Sequence, residues 1–290
     1  MRILVLRALG LGDLLTAVPA LRGLRAAFPD AEITLAAPGW LSGAVSRIEA
    51  VDRLLPTEER APIGFREPDL AVNLHGKGPQ SVERLLATRP RRLVTYDENT
   101  WRQDRHEVLR WCDLLDRHGI PCDPYDFRLP PAGERTGRIV VHPGASTGAR
   151  RWPAERYAAV ARALGPEVVV TAGPGELDLA RRITPDPFQG SLSELLDLVA
   201  TARLVICGDT GVAHVATAYR TPSVLLFGPV RPAHWGPLNG PHQVLWHGTT
   251  GDTFAAEPDQ GLLEITPDEV LDAVGGVLCG SESSARVTSA

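Results

Sequence analysis

The sequence predicts an α/β protein made of two parallel-sheet domains facing across a cleft. Three observations lead there. Short apolar runs alternate with helical patterns twice, first up to about residue 120 and again from residue 138. Between the two series, residues 121–137 (PCDPYDFRLPPAGERTG) are rich in Pro, Gly and charge and carry few recurring hydrophobic positions. At 290 residues the chain also reaches the size, about 250–300 residues, at which single cores stop growing. Strands alternating with helices imply right-handed βαβ units and parallel sheets, so each half reads as a Rossmann-like domain. The expected division is 1–130, 131–280 and a Ser-rich disordered tail over 281–290.

The elements follow in order. Arg2–Arg7 (RILVLR) reads as a buried strand and Gly10–Asp13 as a turn. Leu14 to Phe28 is helical by the spacing of Leu14, Ala17, Val18, Leu21, Leu24 and Phe28. Pro19 either kinks that helix or marks its true first turn. Strands are expected at Glu32–Ala37, Asp69–Leu74 and Leu93–Tyr96, and a helix over His106–His118 that stops at Gly119. In the second series the strands are Arg138–Val141, Val168–Thr171, Leu204–Cys207 and Ser223–Phe227. The helices are Ala154–Leu164, Leu177–Ile183, Leu192–Ala202, Val212–Tyr219 and Pro267–Val277. Residues 38–68, 97–105 and 248–262 read as loops.

Composition narrows the function. A 43% apolar and 22% charged make-up fits a globular protein, and a net charge of −5 disfavours wholesale nucleic-acid binding. Lys77 is the only lysine. Met1 to Arg7 lacks the apolar core and cleavage site of a signal peptide, and no stretch approaches the roughly 20 apolar residues of a membrane span. The four cysteines, Cys112, Cys122, Cys207 and Cys279, have no paired metal spacing. They are expected as thiols in a reducing cytoplasm.

Four segments can carry chemistry. Asp209-Thr210-Gly211-Val212-Ala213-His214 joins an apolar strand to a helix, so backbone N–H groups and the positive helix end converge on one spot suited to a diphosphate. His214 lies one turn on and can face the same ligand. Gly10-Leu11-Gly12-Asp13 follows the first strand. It is no dinucleotide fingerprint, because Leu15 stands where the third glycine belongs. Asp13 reads either as the cap of the following helix or as a general base beyond the strand's carboxyl end. His142-Pro143-Gly144-Ala145-Ser146-Thr147, with Arg150-Arg151-Trp152-Pro153, offers hydroxyls and an arginine fork for phosphate, or simply a solvated arginine pair. Pro153 suits a helix N1 position. Phe227-Gly228-Pro229 and Trp235-Gly236-Pro237 read first as rigid turns. The chain has no GxxxxGK[ST] loop and no GxSxG elbow.

Taken in order from Arg7…Gly12-Asp13, through Pro143–Ser146, Arg150–Pro153, Gly208–Gly211 with His214 and Phe227–Pro229, to Trp235–Pro237, these pieces resemble the heptosyltransferase-like glycosyltransferases of family 9. The resemblance implies a GT-B fold with the acceptor on the first domain and the sugar nucleotide on the second. It implies sugar transfer with inversion, without a metal or other cofactor, from an ADP-heptose-like donor to a glycan or glycolipid hydroxyl. Asp13 would be the base, with Gly10 and Gly12 in the acceptor-side loop. Ser146, Arg150, Asp209, Thr210, Gly211 and His214 would bind the donor. Family members usually carry Lys where Arg150 stands. The expected place is the cytoplasm, with a glycolipid acceptor drawing the protein to the inner face of the membrane. A sugar-nucleotide epimerase or hydrolase on the same scaffold, and a nucleotide-sugar binder without turnover, are the alternatives.

Overall fold

The computed structural model describes residues 1–248 and 250–287, with side chains up to Cys279. The chain forms two compact units, Met1–Leu129 and Pro130–Ala290.

The first unit runs β1 (Arg2–Leu6), α1 (Leu11–Thr16), α2 (Val18–Ala27), β2 (Glu32–Ala37), α3 (Ser42–Val45), β3 (Arg53–Pro56), β4 (Leu70–Asn73), α4 (Gln80–Leu86), β5 (Arg92–Val94) and α5 (Glu107–Asp116). Its five strands are all parallel in the order β3-β2-β1-β4-β5. From Ile3 to Leu6, β1 is buried, as are Ile33 to Ala37 of β2 and all of β4. These continuous apolar runs suit strands covered on both faces. The order reverses between β1 and β4, so a crevice opens beyond their carboxyl ends.

The second unit repeats the plan: β6 (Ile139–His142), α6 (Ala154–Leu164), β7 (Val168–Val170), α7 (Leu177–Arg181), α8 (Leu192–Thr201), β8 (Leu204–Gly208), α9 (Gly211–Ala218), β9 (Ser223–Leu226), α10 (Pro232–Trp235), β10 (His242–Leu245), α11 (Gln260–Glu264) and α12 (Pro267–Val287). Its parallel order is β10-β9-β8-β6-β7. Here the reversal falls between β6 and β8. The core gathers Val141, Ile206, Val224 and Leu226 from the strands, with Trp152 and Tyr157 beside them and Val270 and Val274 from α12.

Several expectations change. The helix expected over Leu14–Phe28 breaks at Ala17, and Pro19 sits in the first turn of α2, where its missing N–H costs nothing. β3, α4 and β10 lie where loops were expected or nothing was assigned. β3 and β10 are edge strands, each four residues long, too short for a period to register. Pro153 is the N-cap of α6 rather than N1. The thiol expectation fails for one pair: Cys112 on α5 and Cys122 form a disulfide, their Cα atoms 5.2 Å apart. The backbone turns back at Gly119, whose φ is +77°, and brings them together. Cys207 is buried and unpaired, and Cys279 exposed. A disordered tail was expected from 281; α12 continues as helix to Val287, and 288–290 lie outside the described residues. No helix among the described residues is long and apolar enough to cross a membrane.

Trp152 anchors the second core. It is 1% exposed, stacks edge-on against Tyr157 at 4.8 Å, and its Nε1 donates to the Ile265 carbonyl at 3.0 Å. Trp152→Ala is expected to cost about 3–5 kcal/mol in urea denaturation. Trp152→Phe should cost about 1–2 kcal/mol, since the Ile265 carbonyl keeps Arg156 as a donor.

Candidate functional site

The first unit holds a buried charge centre at the β1–β4 reversal. Arg7 directly follows β1 and is 1% exposed. Its Nε donates to the Asp13 carbonyl at 2.9 Å, and its Nη1 to the Leu74 carbonyl just beyond β4 at 2.5 Å. Its Nη2 meets Asp13 Oδ1 at 3.1 Å, Glu107 Oε1 at 3.0 Å and the Thr16 hydroxyl at 3.3 Å. The guanidinium also lies 4.8 Å from the Trp111 ring centroid, a cation–π contact.

Asp13 is not the helix cap. Gly10 is the N-cap of α1 and Asp13 stands at N3, its Oδ2 accepting from the Gly10 amide at 3.3 Å. The φ of Gly10 is −76°, open to any residue, and an added Cβ would meet nothing nearer than Asp13 Oδ2 at 3.5 Å. Gly12 is the second helical residue. Burial pushes the Asp13 carboxyl above the usual range. Arg7 pulls the other way, and the Glu107 charge adds to the push. Its side chain remains 28% exposed, so it is both basic and reachable.

The loop after β4 completes this edge. Asn73 is fully buried and its Nδ2 donates to the Gly76 carbonyl at 2.9 Å and to the Ser81 and Thr95 hydroxyls at 3.0 Å. Its Oδ1 accepts from the His75 amide at 3.1 Å. Burial, with Arg7 and Arg84 adding, holds His75 down to about 4, so the ring is neutral at neutral pH.

The second unit brings two sequence segments to its own reversal. β6 ends at His142 and β8 at Gly208. A Cβ on Gly208 would lie 3.1 Å from the Arg150 carbonyl, so the two backbones run against each other. Arg150 Nη1 meets Asp209 Oδ2 at 3.3 Å, with the arginine 25% and the aspartate 5% exposed. Asp209 does not cap α9; Thr210 is the N-cap, and Gly211 and Val212 open the helix with N–H groups that have no acceptor within it. Ser146, just before Arg150 in the chain, is exposed. His214 lies edge-on to Trp235, centroids 6.0 Å apart, which ties the Trp235-Gly236-Pro237 segment to the same helix. Arg151 is taken up otherwise: its Nε and Nη2 donate to the Ala145 carbonyl at 3.1 and 2.9 Å. The Thr147 hydroxyl donates to the Thr253 carbonyl at 2.7 Å. Phe227 and Gly228 form a packed turn, with Trp246 Nε1 donating to the Gly228 carbonyl at 3.1 Å.

The acid that faces the His142–Thr147 segment escapes sequence reading. Glu176, after β7, accepts from the Gly173 amide at 2.8 Å and lies on Gly144, where a Cβ would come within 2.1 Å of its carboxylate. His142 Nδ1 shares a hydrogen with the Thr171 hydroxyl at 2.9 Å, and its Nε2 is 3.9 Å from Glu176. Burial lowers the His142 pKa despite Glu176, so the ring is neutral. Glycine in Pro143-Gly144 is the one local sign that something packs there. Among the described residues no three His, Cys, Asp or Glu side chains gather as a metal site.

Chemically, the first unit offers a basic carboxylate and the second an arginine near a helix N-terminus, groups able to take an anion.

Comparison with known proteins shows the family. The family model for glycosyltransferase family 9 (heptosyltransferase) matches residues 102–257, more than half of the chain. Lipopolysaccharide heptosyltransferase 2 of Escherichia coli (strain K12) is 25% identical, covering 98% of this chain and 100% of its own. Two solved structures share the fold. Glycosyl transferase family 9 from Veillonella parvula DSM 2008 aligns with a TM-score of 0.78 at 20% identity, over 96% of this chain and 97% of its own. E. coli ADP-heptose lps heptosyltransferase II also has a TM-score of 0.78, at 23% identity over 97% and 100%.

The Arg150–Asp209 pair is expected to couple. Arg150→Met should cost about 1–3 kcal/mol in chemical denaturation, because it takes the cationic partner from a buried carboxylate. Adding Asp209→Asn should recover part of that loss; strictly additive losses would show that the pair does not interact.

Proposed function

Because the chain belongs to glycosyltransferase family 9 and is a GT-B glycosyltransferase, we propose that it moves a heptose from an ADP-heptose-like donor to a hydroxyl of a glycan or glycolipid, with inversion and without a metal ion. The relatives it is similar to are heptosyltransferases, one of them named for ADP-heptose, which supports this donor.

One observation carries the reading: each unit presents reactive groups at its strand-order reversal, and the two sets are complementary. Asp13 of the first unit removes the acceptor proton. The acceptor oxygen forms a bond to the anomeric carbon of the donor as the bond from that carbon to the diphosphate oxygen breaks. The electron pair leaves with the diphosphate. Arg150, the Ser146 hydroxyl and the N–H groups of Gly211 and Val212 bind that leaving charge, with Asp209 holding Arg150 in place. Thr210 sets the start of α9, and His214 stands one turn on for the donor. These fixed donors take the part a cation has in other transferases. Attack from the face opposite the leaving group inverts the anomeric centre. On this reading residues 1–130 serve the acceptor and 131–280 the donor, with Gly10 and Gly12 beside the base. A glycolipid acceptor would place the enzyme at the inner face of the membrane.

Asp13→Asn is expected to lower ADP release from ADP-heptose with acceptor by about 10²–10⁴-fold, the usual contribution of a general base, while ADP binding by calorimetry is unchanged. A variant as fast as wild type would refute the base. Since the folded protein favours the neutral Asp13 carboxyl, the asparagine should leave the melting temperature at pH 8 unchanged or raised.

The pH profile follows with its sign. The base works ionised, so kcat/KM should fall as pH drops through a carboxyl pKa lying above the ordinary value, not at it. For the donor, Asp209→Ala and His214→Ala should each weaken ADP binding by calorimetry; unchanged affinity would move the site elsewhere.

A further inference from the structure

Arg7 does not belong to Asp13 alone. The same Nη2 that reaches Asp13 Oδ1 at 3.1 Å reaches Glu107 Oε1 at 3.0 Å, one hundred residues away on α5. Glu107 is itself fixed from behind. Arg110 Nε donates to its Oε2 at 3.0 Å and Trp111 Nε1 to its Oε1 at 2.9 Å. Arg110 in turn donates to the carbonyls of Arg102 and Arg105 at 2.5 and 3.0 Å and lies 4.1 Å over the Trp101 ring. The result is a chain of alternating charge, Arg110–Glu107–Arg7–Asp13, with links of 3.0–3.1 Å. Its inner members are 7%, 11% and 1% exposed; only Asp13, at 28%, opens to solvent.

Burying four charges is an expensive way to fix a helix, since apolar packing of the same volume is often as stable or more so. The arrangement does what apolar packing cannot. A buried arginine paired with one carboxylate makes that carboxylate a weak base. A second carboxylate on the same nitrogen draws off part of the charge while the fork still fixes the first one's direction.

We propose that Glu107 is a positioning residue for the transfer reaction: by sharing the Arg7 guanidinium it aims the Asp13 carboxylate and preserves its basicity. The inference rests on Asp13 as the base. The charged groups acting on Asp13 are Arg7 from the end of β1 and Glu107 from α5; Arg110 of α5 acts on Glu107, and His75 from the loop after β4, neutral at neutral pH, lies in the field of Arg7. From α1 and its cap the carboxylate takes hydrogen bonds from the Gly10 amide and from its own backbone amide.

The test is carbon-13 NMR titration of the full chain labelled at the aspartate carboxyls, with the Asp13 signal identified by its loss in Asp13→Asn. Glu107→Gln keeps the shape and removes the charge. It should move the Asp13 midpoint about one pH unit lower. Arg110→Gln frees the Glu107 charge to act on Arg7 and should move the midpoint higher. Opposite directions are the signature, because simple loosening of α5 would move both variants the same way. In transfer assays Glu107→Gln should shift the acid limb of kcat/KM to lower pH and reduce the plateau roughly 3–10-fold, with KM for ADP-heptose unchanged. A midpoint in Glu107→Gln equal to wild type, or both variants moving together, overturns the proposal. If Glu107→Gln does not fold, Arg110→Gln decides by the direction of its shift. Full activity in Asp13→Asn would instead remove the base itself, a separate failure.

Discussion

Every strand pairing in both units is parallel, and that constraint shapes the rest of the molecule. Parallel strands need crossover connections, so each sheet is covered on both faces and its strands become uninterrupted apolar runs. All carboxyl ends of one sheet lie along one edge. Where the strand order reverses, between β1 and β4 and between β6 and β8, the loops part and leave backbone and polar groups accessible. The reactive residues follow the strands that flank those reversals.

The two reversals carry ion pairs of opposite polarity. In the first unit the cation is deep and the anion faces out: Arg7 is 1% exposed and Asp13 28%. In the second the anion is deep and the cation faces out: Asp209 is 5% exposed and Arg150 25%. A deep counter-ion fixes its partner's direction and leaves that partner's outer side for a ligand. On the proposed reading one unit offers a base and the other an arginine for phosphate, as transfer from a diphosphate donor requires. The protein uses buried charge for direction, and in the first unit the packed Trp111, 4.8 Å from the Arg7 guanidinium, excludes water around it.

Much of this was legible in the sequence because the signals are local. Glu32–Ala37 and Ala154–Leu164 fall on the expected bounds, since apolar runs and helical spacing are properties of neighbouring residues. Asp13, Arg150 and the 209–214 segment were visible as carboxylate, arginine and turn beyond strands, and the structure sets Arg150 beside Asp209. The rest depends on partners distant in the chain. Nothing near Glu107 signals that it meets Arg7, and Cys112 pairs with Cys122 only because the chain reverses at Gly119. Asp13 at N3 instead of the cap turns on where α1 begins, a boundary that Gly10 decides and that no periodicity marks. Glu176 was missed because its signal, a glycine at 144 that admits its carboxylate, lies in another element.

The most direct measurement is a crystal structure of the chain grown with ADP. The account predicts the diphosphate within hydrogen-bond distance of the Arg150 guanidinium, the Ser146 hydroxyl and the N–H groups of Gly211 and Val212. ADP bound elsewhere, with the Arg150 guanidinium and the start of α9 free of phosphate, would contradict it.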